Sequence, residues 1–280
     1  MKIDLKVIIK FISCLALSSI AYLPTIIWII DRWLAKESYY GHGFLIPFVS
    51  LFIAWQRKDA LKKVKISSDI SGLAFVAIGL FVHIICASLK VYFISGFSLV
   101  FVLYGLVLFF FGKEVTRNLT FPIFFLFAMI PLPLVLISTI TVKMKLFAAQ
   151  ISTAILNHIG FPSIRDGSII RMPHSFIAVE APCSGLRSLI SLLTLGLLFA
   201  YTSKASYIKK GILFLSAVPI AVASNVVRII MLATVNDLYG ERAAMGFFHD
   251  FTGFLVFAIA FVGLFGVSRI VEPRRIDEDK

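Results

Sequence analysis

Cys183 stands in the run Val179-Glu180-Ala181-Pro182-Cys183-Ser184-Gly185-Leu186-Arg187-Ser188, at the edge of a long apolar stretch. A thiol attacks as its anion, and a cation or a helix N-terminus beside it stabilises that anion. Both are expected here. Pro182 suits a first helical turn, whose free N–H groups and dipole favour negative charge. Arg187, four residues on, would share a helical face with Cys183, while the nearby Glu180 opposes the effect. The sequence therefore predicts a thiol pKa below that of a free cysteine. Ser184 and Gly185 are small enough to let a peptide backbone approach the sulfur. The competing reading of Cys183 is a small buried apolar residue, the common fate of a free cysteine.

Two polar groups downstream complete a plausible chemistry. Arg228 lies in Ser224-Asn225-Val226-Val227-Arg228-Ile229-Ile230, inside an apolar segment. A charge at such depth is costly unless it is paired or wetted, which marks it as functional. Snorkelling to headgroups is the alternative. Asn225 and Ser224 share its helical face and are expected to line a polar cavity that meets substrate. A guanidinium there suits binding a carboxylate or stabilising an oxyanion in acyl transfer. His249-Asp250 abuts the last apolar segment. An imidazole removes a thiol proton and returns it to a leaving amine, and Asp250 is a candidate to orient it or to meet substrate. Alone, His249 would read as an interfacial anchor. Of the other histidines, His83, His158 and His174 read as packed or surface residues. His42, flanked by glycines in Tyr40-Gly41-His42-Gly43, reads as a further substrate-binding candidate.

The elements that must hold these groups are apolar. Of 280 residues, 59% are hydrophobic and only 15% charged, more apolar side chain than one soluble core can hide. The chain is expected to be an all-α polytopic membrane protein, one integral domain over 1–280. Eight apolar spans can be drawn, at about 7–30, 43–56, 70–89, 92–112, 119–140, 184–202, 207–234 and 251–270. The second is short for a crossing, and the first lacks the cleavage site of a removable signal. Residues 142–158 read as an amphipathic helix lying at the interface. The runs 168–172 and 176–180, joined through Pro173-His174-Ser175 and preceded by the Asp166-Gly167 turn signal, read as a β-hairpin leading into Cys183. The charged tail after Ile270 reads as a solvated end.

The net charge of +12 is best read as topology. About 17 basic residues fall in loops on one side of the eight-span drawing and about 8 on the other, which predicts cytoplasmic termini. Cys183 and His249 then lie on the extracytoplasmic side of the plasma (inner) membrane. Nucleic acid is not expected as a partner, because no basic face alternates with aromatics and the 28 Phe sit in apolar runs. The three cysteines form no Cys-x-x-Cys, and no His-Glu-x-x-His occurs, so neither a metal nor a cofactor is expected.

The chain resembles the exosortase/archaeosortase family of multipass membrane proteins. The strongest matches are Cys183-Ser184-Gly185-Leu186-Arg187-Ser188, Asn225-Val226-Val227-Arg228-Ile229 and Phe247-Phe248-His249-Asp250. Tyr40-Gly41-His42-Gly43-Phe44, Phe121-Pro122 through Met129-Ile130-Pro131-Leu132-Pro133, and Arg165-Asp166-Gly167 add to it, in order from about residue 30 to 265. Pro182 before the cysteine departs from the pattern, and no appended C-terminal domain is recognised. The resemblance implies a thiol transpeptidase with Cys183, Arg228 and His249 as its catalytic trio. It implies substrates anchored in the bilayer by a C-terminal sorting signal: a Pro-Glu-Pro-type (PEP-CTERM) motif, a transmembrane helix and a basic cluster. It further implies an acyl-enzyme passed to an acceptor, lipid or glycan, and a link to extracellular polysaccharide systems. The competing reading, from another class, is a non-catalytic transporter or assembly subunit for polysaccharide export.

Overall fold

The structure, a computed structural model, describes residues 4–36, 38–180 and 182–272, with the side chains of Pro182, Met245, Phe247 and Asp250 outside the described set. The chain forms two compact units, Met1–Pro133 and Leu134–Lys280. Both are mainly helical, as expected of an all-α membrane protein. Among the described residues, five helices are long and apolar enough to cross a bilayer, or six if one bent pair counts as a single span. Large apolar side chains such as Phe48 and Phe254 are 68% and 76% exposed, a cost in water but not against lipid.

The first unit begins with α1 (Leu5–Ala21) and α2 (Leu23–Leu34), bent by 68° from one another. Pro24, which has no N–H to give, sits in the first turn of α2, so one expected span becomes two helices. A 3-10 turn (Gly43–Leu45), α3 (Ile46–Gln56), α4 (Lys58–Lys62), α5 (Ser71–Ser88), α6 (Tyr92–Phe111) and α7 (Lys113–Phe125) follow. The break at Tyr22 is closed by buried polar groups. His83 Nε2 lies 3.1 Å from the Ala21 carbonyl, and its Nδ1 lies 2.7 Å from Ser95 Oγ. A carbonyl only accepts, so Nε2 carries the ring proton and Nδ1 accepts from the serine. His83 is thus satisfied within the fold.

The expected span 119–140 is not one helix. α7 gives way to a 3-10 turn (Leu126–Met129) and then to Pro131 and Pro133, and α8 (Leu134–His158) opens the second unit. Two prolines in three residues cannot continue a helix. The stretch 142–158 is accordingly not a separate helix but the C-terminal part of a 25-residue apolar helix. Together with the short 43–56 and 184–202 helices, this is why the count by length differs from eight.

The second unit continues with β1 (Ile164–Asp166), β2 (Ile169–Arg171) and β3 (Phe176–Ala178), an antiparallel sheet in the order β1-β2-β3. The expected hairpin through Pro173–Ser175 is present, and β1 adds a strand to it across a turn where Gly167 has φ +61°. After a 3-10 turn (Pro182–Ser184) come α9 (Leu186–Thr202), α10 (Tyr207–Tyr239), α11 (Glu241–Met245) and α12 (Phe247–Val271). The sheet is tied to the end of α10: Asn236 Nδ2 donates to the Phe176 carbonyl at 2.8 Å, and Ser175 Oγ donates to Asp237 at 3.0 Å. Ile170, Ile177 and Val179 of the sheet region pack with Leu156, Val226, Ile229 and Leu232 in one core, which also holds Cys183.

In the first unit α5 and α6 cross at glycines. A Cβ on Gly72 would lie 2.4 Å from the Phe109 backbone nitrogen, whereas one on Gly211 of α10 would meet nothing within 4 Å. Small residues let lipid-embedded helices approach this closely. Gly72→Val is expected to destabilise the detergent-solubilised protein by about 1–3 kcal/mol, as overpacking does. Gly211→Val should leave the unfolding midpoint within error. Equal midpoints for the two variants would contradict this packing.

Candidate active site

The Cys183 turn lies between a strand and a helix. β3 ends at Ala178, and Cys183 N–H donates to the Glu180 carbonyl at 3.1 Å. Gly185 then takes a left-handed conformation, φ +78°, and α9 starts only at Leu186, whose N–H donates to Ser184 Oγ at 3.3 Å. The left-handed residue overturns the helical reading of this segment. Cys183 is outside the helix, so the four-residue spacing to Arg187 does not place the two on one face. Arg187 is exposed, and no bond joins it to Cys183 among the described residues. Ser184 is 1% exposed and caps α9. It is not an open surface for a peptide.

The thiol environment also differs from expectation. Cys183 is buried, and that burial pushes its pKa above the ordinary value; the Arg228 guanidinium pulls it down, and the Glu180 carboxylate adds to the rise. Loss of solvation outweighs the cation, so the resting group is a neutral thiol rather than a held anion.

What faces the sulfur is His249, with Nε2 3.5 Å from Sγ. Arg228 Nη2 approaches the same ring nitrogen at 3.4 Å and donates to the His249 carbonyl at 3.1 Å. A guanidinium nitrogen can only donate, so Nε2 presents its lone pair and the proton of the neutral ring is on Nδ1. One lone pair therefore faces both a thiol hydrogen and a cation. Arg228 Nε is buried and has no hydrogen-bond partner among the described residues.

Two helices and a turn supply this geometry. Arg228 comes from α10, His249 from the first turn of α12, and Cys183 from the turn before α9. Asn225, one turn before Arg228, donates from Nδ2 to the Cys183 carbonyl at 2.9 Å. Gly253 was not singled out from sequence, yet it makes room for the cation: a Cβ there would lie 3.1 Å from Arg228 Nη2 and 3.4 Å from Cζ. Gly253 is four residues after His249 and shares its helical face, but the side chain it makes room for is remote in sequence.

Of the remaining candidates, one belongs to the first unit and the other is not described. The Asp250 side chain lies outside the described residues. His42 belongs to the first unit, where it is half-buried, its ring is 6.1 Å from that of Tyr40, and burial lowers its pKa. Gly43 beside it abuts the Trp33 indole, whose Nε1 donates to the Met129 carbonyl at 2.8 Å. His158 bonds the Ala154 carbonyl, and His174 donates its backbone N–H to Asp237. Among the described residues, no three His, Cys, Asp or Glu side chains gather as a metal-holding group.

A family model described as transmembrane exosortase matches residues 33–266, a stretch that includes the Cys183 turn, Arg228 and His249. Neither a curated protein nor a solved structure matches the chain. With most of its length matched, the chain belongs to the transmembrane exosortase family.

Proposed function

We propose that this exosortase is an extracytoplasmic cysteine transpeptidase or protease. On this reading it cleaves PEP-CTERM-like C-terminal sorting signals from membrane-anchored proteins through an acyl-enzyme on Cys183. The observation that carries the reading is the convergence of a thiol and a guanidinium on one imidazole nitrogen, at 3.5 and 3.4 Å.

The chemistry follows from that convergence. His249 Nε2 takes the Cys183 proton as the sulfur attacks the scissile carbonyl. The new imidazolium repels the guanidinium, which keeps its bond to the His249 carbonyl and turns toward the oxyanion. The buried, unpartnered Nε of Arg228 is suited to negative charge that appears only then. The imidazolium next protonates the leaving amine, and a thioester remains on Cys183. An acceptor hydroxyl or amine, lipid or glycan, loses its proton to His249 and displaces the thiol; water in its place gives hydrolysis. His42 and Asp250 are proposed to meet substrate, and the exposed Arg187 to attract its acidic motif.

The length of α10 supports the membrane placement. Thirty-three residues make a helix of about 50 Å, longer than the roughly 30 Å hydrocarbon layer. Counted from Lys209 and Lys210, about twenty residues cross that layer and end near Arg228. With those lysines cytoplasmic, the cluster lies at the outer boundary of the inner membrane, where peptide and water reach it.

Three outcomes test the reading. Cys183→Ala should abolish processing of a tagged, membrane-anchored reporter carrying a Pro-Glu-Pro motif, a transmembrane helix and a basic cluster; processing at the normal rate would sink the mechanism. Arg228→Lys keeps charge but not the forked donors, so the processing rate should drop about 100-fold or more at unchanged protein level. In a C14S, C86S background, the raised Cys183 pKa means that thiolate appears later as pH rises. The midpoint of iodoacetamide alkylation should then lie above the roughly 8.5 of a free thiol. A midpoint below that value would restore the anion reading.

A further inference from the structure

Cys183 sits in a single 3-10 turn outside the long helices, yet its sulfur must stay within reach of a nitrogen on α12. Asn225 supplies a tie. It is 4% exposed, and its Nδ2 donates to the Cys183 carbonyl at 2.9 Å. It fills the hollow of the turn itself: a Cβ on Gly185 would lie 2.8 Å from Asn225 Cβ and Cγ and 3.0 Å from Nδ2. The amide can reach the carbonyl because residue 185 has no side chain, and the left-handed φ of +78° at that residue independently favours glycine. Arg228, three residues further along α10, holds the His249 carbonyl at 3.1 Å. Three helical residues advance about 4.5 Å, so one turn of α10 sets the spacing of two backbone carbonyls, one under each reacting side chain.

We infer that Asn225 is a positioning residue: its amide clasps the carbonyl of Cys183 so that the sulfur is held against His249. This replaces the expectation from sequence that Asn225 lines the cavity and meets substrate, since an amide so buried and so occupied has little left to offer a peptide. The inference rests on the reading of Cys183 as nucleophile and deepens it.

The test uses the whole protein in proteoliposomes with the same tagged reporter, varying reporter density and pH. Asn225→Ala should lower the maximal rate about 10–100-fold, the scale of a displaced reacting atom, with KM within about two-fold. Asn225→Asp keeps the shape but donates to a carbonyl only when protonated, and a buried carboxyl protonates well above its usual range. Relative to wild type, Asn225→Asp should therefore be as slow as Asn225→Ala at pH 8 and recover several-fold by pH 5.5, while Asn225→Ala stays flat. A rise in KM at unchanged maximal rate would make Asn225 a substrate-binding group and overturn the inference. So would an Asn225→Asp variant whose ratio to wild type does not change with pH. If Asn225→Ala does not accumulate in the membrane, the near-isosteric Asn225→Asp carries the test alone. Cys183→Ala in the same assay separates the two levels: processing by that variant sinks the nucleophile itself, whereas an inactive Cys183→Ala beside a flat Asn225→Asp profile sinks the positioning role only.

Discussion

A guanidinium set into an apolar helix has to be satisfied, and the way Arg228 is satisfied organises the second unit around it. An unpaired cation at such a depth is expensive, so the side chain must find acceptors or water. It takes the His249 carbonyl at 3.1 Å, in the first turn of α12. Its contact with His249 Nε2 at 3.4 Å fixes which ring nitrogen is bare. Gly253 leaves the space in which the plane of the guanidinium lies. The requirement to pair one charge thus orients the ring, selects its tautomer and is helped by a glycine one turn away.

Burial sets the opposing constraint on the sulfur. In the same core as Val226 and Ile229, Cys183 loses more solvation than the nearby cation returns. A neutral thiol in such a place is protected from adventitious electrophiles but is a poor nucleophile unless a base stands beside it. The bare Nε2 of His249, 3.5 Å from the sulfur, is that base on the proposed mechanism. On the proposed mechanism the thiolate exists only while a carbonyl is there to accept it, and the low-dielectric surroundings that disfavour the anion at rest also strengthen the pull of Arg228 on an oxyanion.

Residue types in context made much of this legible. A cysteine at an apolar edge, an arginine within an apolar run and a histidine before one are each uncommon enough to single out, and they meet in the fold. The hairpin through Pro173–Ser175 was readable because turn residues separate two β-prone runs. What failed was extrapolation of local periodicity. The four-residue spacing of Cys183 and Arg187 implied a shared face only if the chain were helical there, and Gly185 at φ +78° ends that assumption. The span 119–140 failed likewise, since hydropathy counts Pro131 and Pro133 as neutral while the backbone cannot pass through them as helix. Gly253 and the partner of Asn225 were out of reach for a different reason. Their roles are defined by atoms more than twenty residues away, and no window along the chain contains both ends of such a contact.

The proposed site also explains why a helix as long as α10 is needed. A peptide bond cannot be cut where neither it nor an acceptor can be wetted, and a nucleophile far from the bilayer would lose the benefit of an anchored substrate. Tethering both partners to one membrane confines their encounter to a thin layer and raises effective concentration without any new contact. A 33-residue helix reconciles the two demands. Twenty or so residues suffice to cross the hydrocarbon; on the proposed placement the remainder carries Arg228 at the boundary, and then Asn236 and Asp237 dock the sheet that precedes Cys183. A shorter α10 would still be long enough to span, but it would have nowhere to hang the sheet, and Cys183 would lose the surface against which its turn is held.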